Sequence, residues 1–95
     1  MEAHFTREMG ITPDEFLRTL PDALGHGEYS IQGSEILIRD PAGQVRIILH
    51  PTRQRRLGML ALPLTPVEFS FGGLEKTDRE RFMFRFERYF QRGGG

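Results

Sequence analysis

"EYSIQGSEILIRDPAGQVRIILH", residues 28–50, is the stretch whose reading decides the fold. Its last part places Val45, Ile47 and Leu49 alternately with Gln44, Arg46 and Ile48. That is the period of a strand with one buried face and one mixed face. Two punctuations divide what precedes it. Gly33–Ser34 joins "EYSIQG" to "EILIRD", and "DPAG" at 40–43 sets Pro41 where a type I turn takes it. Connections of hairpin length make neighbouring strands antiparallel, so the stretch reads as a meander.

Upstream, "GITPDEFLRTLPDALGHG" announces a helix. Thr12 is the N-cap, Pro13 fits the first helical position and Glu15 completes a capping box. Phe16, Leu17, Leu20 and Leu24 recur at helical spacing. Pro21 predicts a break or kink near Leu20, with one further turn to Leu24 and a stop at Gly25. Residues 1–10 read as an N-terminal arm, and "GHG" at 25–27 as the turn from helix to sheet.

Downstream, "PTRQRR" reads as a polar turn or loop and "LGMLALP" as a further strand. Pro63, Leu64 and Pro66 then interrupt before "VEFSF", where Val67, Phe69 and Phe71 point one way and Glu68 and Ser70 the other. This last strand is apolar enough to pair with a second copy if it lies at an edge. A second helix runs from about Glu75 or Asp78 to Gln91, with Phe82, Met83, Phe86, Tyr89 and Phe90 on one side. Gly93 ends it, leaving residues 93–95 as a flexible tail.

The predicted architecture is α+β: an antiparallel four- to five-stranded meander sheet, with an N-terminal and a C-terminal helix packed on one face. At 95 residues it is a single small globular domain spanning 1–95, with mixed-sign charge at 27% and 38% hydrophobic residues. The absence of cysteine excludes disulfides, thiolate metal sites and a cysteine nucleophile. The opening "MEAHFTREMG" lacks the basic start and apolar middle of a signal peptide, and no apolar run is long enough to cross a membrane. The expected location is the cytoplasm.

Charge sums to zero but is unevenly placed. Residues 1–40 carry three arginines against eight acids, and residues 41–95 ten bases against five acids. All the bases but Lys76 are arginine, a bias that a G+C-rich coding sequence explains.

Arg81, Arg85, Arg88 and Arg92, spaced four, three and four, form a stripe along the second helix, with Arg53, Arg55 and Arg56 as a separate basic patch. Guanidinium groups in such a stripe suit phosphates or acidic side chains. They equally suit a solvated helix edge that pairs with local acids. Phe84 falls nearly opposite the apolar side of that helix and marks an interface unless the N-terminal arm, with His4 and Phe5, covers it. His4, His26 and His50 have no helical pair spacing, and Ser30, Ser34 and Ser70 no nucleophile context, so neither metal nor cofactor is expected.

The residues therefore point to a non-enzymatic binding domain that engages a protein partner, or itself, through Arg81, Phe84, Arg85, Arg88 and Arg92, with Arg53, Arg55 and Arg56 as a second patch. The alternative is a nucleic-acid or phosphate-ligand module using the same basic surface, which a net charge of zero disfavours. A small enzyme with a pocket between sheet and helices is the third class.

Overall fold

The computed structural model describes residues 2–25 and 27–94, with side chains described through Phe90. In chain order the elements are the strand His4–Met9 (β1), the helix Pro13–Leu24 (α1), the strands Glu28–Gln32 (β2), Glu35–Asp40 (β3), Gly43–Leu49 (β4), Arg53–Leu57 (β5) and Leu60–Gly72 (β6), and the helix Lys76–Gly94 (α2). The strands form an α+β sheet of order β1-β6-β4-β3-β2, with β5 pairing the first part of β6. Every pairing is antiparallel.

The meander predicted over residues 28–50 is β2, β3 and β4. Gly33 takes φ 60° in the two-residue turn between β2 and β3, a conformation glycine adopts without strain. Val45, Ile47 and Leu49 are buried along with Ile36 and Ile38 of β3 and Val67 and Phe69 of β6. This face receives both helices. Phe16 and Leu20 of α1 and Met83, Phe86 and Phe90 of α2 complete one core cluster. Its rings are closely set: Phe16 and Phe90 lie 4.7 Å apart, and Phe69 meets Phe86 edge-on at 5.2 Å.

Four groups of sequence expectations are corrected, the two helices together forming the second. The N-terminal arm is the strand β1, paired with β6 from His4↔Ser70 to Met9↔Thr65. Its inward positions are Phe5, Arg7 and Met9. Phe5 stacks on Phe69 at 5.1 Å, while Arg7 lies over the Phe5 ring and pairs with Glu87 of α2. The partnered Arg7 lets a charged residue take an inward position.

α1 does not break at Pro21 and is continuous to Leu24. Proline inside a helix costs about 3 kcal/mol. Burying Leu20 and Leu24 on either side returns about 1.5–3 kcal/mol each. The Gly25 N–H closes the last turn on the Pro21 carbonyl at 3.0 Å. The end of α2 also differs, since the helix runs past Gly93 to Gly94. His26 and Gly95 lie outside the described residues.

The third correction concerns "PTRQRR" and the two strands after it. Arg53–Leu57 is itself a strand, and Leu60–Gly72 is one strand through both prolines. The Pro66 carbonyl accepts the His50 N–H at 2.9 Å, so the missing Pro66 donor faces the same side. There the ladder is bulged: β4 leaves off at Leu49↔Val67 and β5 resumes at Arg53↔Leu64, so three residues stand opposite two. By the same alternation Pro63 faces the opposite edge, where β1 has already ended at Met9↔Thr65. Pro63 therefore removes no ladder bond, and Pro66 forgoes only the reciprocal bond of its pair with His50, at the bulge. Fourth, β6 is central, between β1 and β4, so "VEFSF" is not an edge.

Thr65, opposite the bulge, is fully buried. Its Oγ1 donates to the Ile11 carbonyl at 2.6 Å and accepts from Thr52 Oγ1 at 2.7 Å. One hydroxyl thus ties the loop before α1, the bulge and β6 together.

Candidate functional site

Helical phase places Arg81, Phe84, Arg85 and Arg88 on the outer half of α2, because Met83, Phe86 and Phe90 anchor the inner half. All four are exposed, and Phe84 is 68% so. The N-terminal segment does not cover it, since Phe5 is engaged with Phe69 and Phe71 on the core side of the sheet. Tyr89, expected in the core, is also exposed, at 38%. Phe90 takes the core position beside it.

The arginines of the stripe have different surroundings. Arg81 pairs with Asp78 at 3.4 Å, one turn away on α2. Arg85 lies against the end of α1, where a Cβ on Gly25 would collide with its Nη2. Gly25 has φ 65°, so its lack of a side chain serves both the helix stop and the approach of Arg85. The guanidinium thus meets the negative end of α1. Neither Arg85 nor Arg88 has an ion-pair partner among the described residues. Arg92 lies outside the described side chains.

Arg81 and Arg85 flank a cleft of about 400 Å³ between the end of α1, the β3–β4 turn and α2. Leu24, Ile38, Phe82 and Phe86 give it an apolar floor. Asp78 and Asp40 are its acidic groups, and Asp40 Oδ1 already accepts the Ala42 N–H at 2.9 Å. The cleft joins an apolar surface to an unpaired guanidinium and adjoins the face carrying Phe84.

The second predicted patch is not in a loop. Arg53, Arg55 and Arg56 lie on β5, which with residues 60–64 of β6 forms a two-stranded arm beyond the helices. All of β5 and residues 60–62 are exposed. The molecule measures 45 × 25 × 21 Å along its principal axes. Arg53 pairs with Glu8 of β1 at 3.0 Å, whereas Arg55 and Arg56 have no partner among the described residues. The arm also holds a set of exposed apolar side chains: Leu57, Met59, Leu60 and Leu62. Sequence reasoning read these as an ordinary strand. The signal available was the uncharged run "LGMLALPL" at 57–64 directly after "RQRR".

On the sheet face without helices, Glu68 of β6 accepts hydrogen bonds from His4 Nε2 at 2.5 Å and His50 Nε2 at 2.8 Å. The bond from His4, then that from His50, hold the Glu68 carboxyl below its usual value against the opposing effect of desolvation. No group of three or more metal-ligating side chains is arranged to hold a metal ion among the described residues. No helix among them is long and apolar enough to cross a membrane.

Compared with known proteins, the chain matches no family model, no curated protein and no solved structure.

Proposed function

We propose that this chain is a non-enzymatic interaction domain whose α2 outer face, Arg81, Phe84, Arg85 and Arg88, docks a protein partner. The observation that carries this reading is Phe84, 68% exposed opposite the core and left uncovered by the described residues of its own chain. A large uncovered aromatic ring among arginines has the composition of an interface centre, where aromatic and arginine side chains concentrate the binding energy. The adjoining cleft, with its apolar floor and the unpaired Arg85, offers a pocket for one side chain of the partner.

The test compares capture from native lysate by wild type, Phe84→Ser and the triple variant Arg81→Glu, Arg85→Glu, Arg88→Glu, all with matched cooperative melts. A protein retained by wild type and lost from both variants supports the reading. Capture that is unchanged in both refutes it. Retention of nucleic acid with a steep loss on adding salt moves the assignment to a nucleic-acid module.

A further inference from the structure

The arm formed by β5 and the first part of β6 is a two-stranded ribbon, a structure only marginally stable by itself. Directly paired residues share a face, so Arg53, Leu64, Arg55, Leu62, Leu57 and Leu60 lie together on one side. Alternation along β6 makes this the side of Pro66, Glu68 and Ser70, the helix-free face of the sheet. Leu57, Leu60 and Leu62 are 51%, 64% and 43% exposed on it. Arg56 is on the other side, with Gln54, Ala61 and Pro63.

The character of the helix-free face selects the occupant. Its charges are largely neutralised within the chain: Arg53 with Glu8, Arg46 with Glu35 at 2.9 Å, and Glu68 with two histidines. Among the described residues, DNA or an anionic lipid surface would find there only Arg39 and Arg55 outside an ion pair, and Arg39 stands directly across from Glu28 in the β2–β3 ladder. A leucine-bearing face of balanced charge suits another of its own kind, and a chain of zero net charge does not repel its copy.

We propose that the arm holds two copies of this chain together, helix-free face to helix-free face, about a two-fold axis crossing β6 at Thr65. The dimensions suit this arrangement. The five paired residues of the arm extend about 17 Å, and the seven residues of β6 from Pro66 to Gly72 extend about 23 Å, at about 3.3 Å per residue. Each arm therefore lies along the body of the other copy, in an isologous contact. Leu64 of one copy comes opposite Pro66 of the second. Leu62 comes opposite Glu68, the face's central carboxylate, and Arg55, beside Leu62 on β5, comes opposite Ile48, the cross-strand neighbour of Glu68. The Proposed function concerns α2 on the other side of the molecule, so the two readings fail separately.

The experiment is sedimentation equilibrium, backed by cross-linking. Wild type is expected at twice its 11.0 kDa. Leu60→Glu with Leu62→Glu is expected at the monomer mass with an unchanged circular dichroism spectrum, since both residues are exposed. Phe84→Ser is expected to remain dimeric. Because the chain has no cysteine, single thiols are clean probes. A short bifunctional thiol linker should join Leu64→Cys pairs near the axis. It should leave Met59→Cys unlinked, because in this arrangement the two tips stand about 40 Å apart. A monomeric wild type, a dimer indifferent to the leucine changes, or efficient linking through Met59→Cys would each overturn the proposal. So would a monomer that pellets with phosphatidylserine vesicles or shifts duplex DNA through the same leucines.

Discussion

Replacing Thr65 with valine keeps the shape of a fully buried side chain and removes its hydroxyl. Two hydrogen bonds go with it, to the Ile11 carbonyl at 2.6 Å and from Thr52 at 2.7 Å. Thr52 is partly accessible at the bulge and regains water, so its loss is small. Ile11 is 4% exposed, and its carbonyl is left without this partner. A buried acceptor stranded in this way costs about 1–3 kcal/mol. For a domain of this length each kcal/mol moves the melting temperature by about 4–8 °C, so Thr65→Val should melt about 5–20 °C below wild type. Thr65→Ser keeps both bonds and gives up one methyl group, about 1 kcal/mol. Thermal unfolding followed by circular dichroism ranks the three proteins. A Thr65→Val protein as stable as wild type, or more stable than Thr65→Ser, would refute the account of this hydroxyl as the tie between loop, bulge and central strand.

Phe84→Ala should change stability by no more than about 0.5 kcal/mol in urea titration, as befits an exposed side chain, while removing the partner contact. Pro21→Ala restores the donor missing from α1. It should raise the stability by about 1–2 kcal/mol, the helix gain exceeding the entropy returned to the unfolded chain; a destabilised variant would contradict this. Glu68 has its native carboxyl lowered, so its contribution is present above the ordinary carboxylate pKa and is lost as pH falls through the lowered native value. Melting wild type and Glu68→Gln across pH 3–7 should therefore show a gap that narrows at the acid end. A gap of constant size would argue against the histidine bonds as its source.

The sheet was legible where its signals are local. Val45, Ile47 and Leu49 alternate without interruption, and Thr12, Pro13 and Glu15 mark the start of α1 within four residues. Met83, Phe86 and Phe90 fixed the phase of α2 closely enough to expose Phe84 as the anomaly on its outer face. β1 was hidden because Arg7 occupies an inward position, and the Glu87 that satisfies it lies eighty residues away. β5 carries no alternation at all, being exposed throughout, and exists because residues 60–64 supply its ladder. Proline was read as an interruption in β6 because sequence does not reveal which side of a strand lacks a neighbour. The same limit applies to the site: the stripe follows from helical spacing, but the contact between Arg85 and Gly25 and the histidine bonds to Glu68 are tertiary.

The pairing of β1 with β6 also sets the order in which the domain can form. β2, β3 and β4 close over turns of two residues and need little of the chain to be present. β1 must find a strand whose paired positions begin at Thr65. During synthesis at roughly 5–20 residues per second, it waits several seconds for that template to be made. Its contacts then close a loop of more than fifty residues, a loss of chain entropy that local hairpins avoid. Folding of this protein should thus proceed outward from the meander, with its first-made strand among the last to dock.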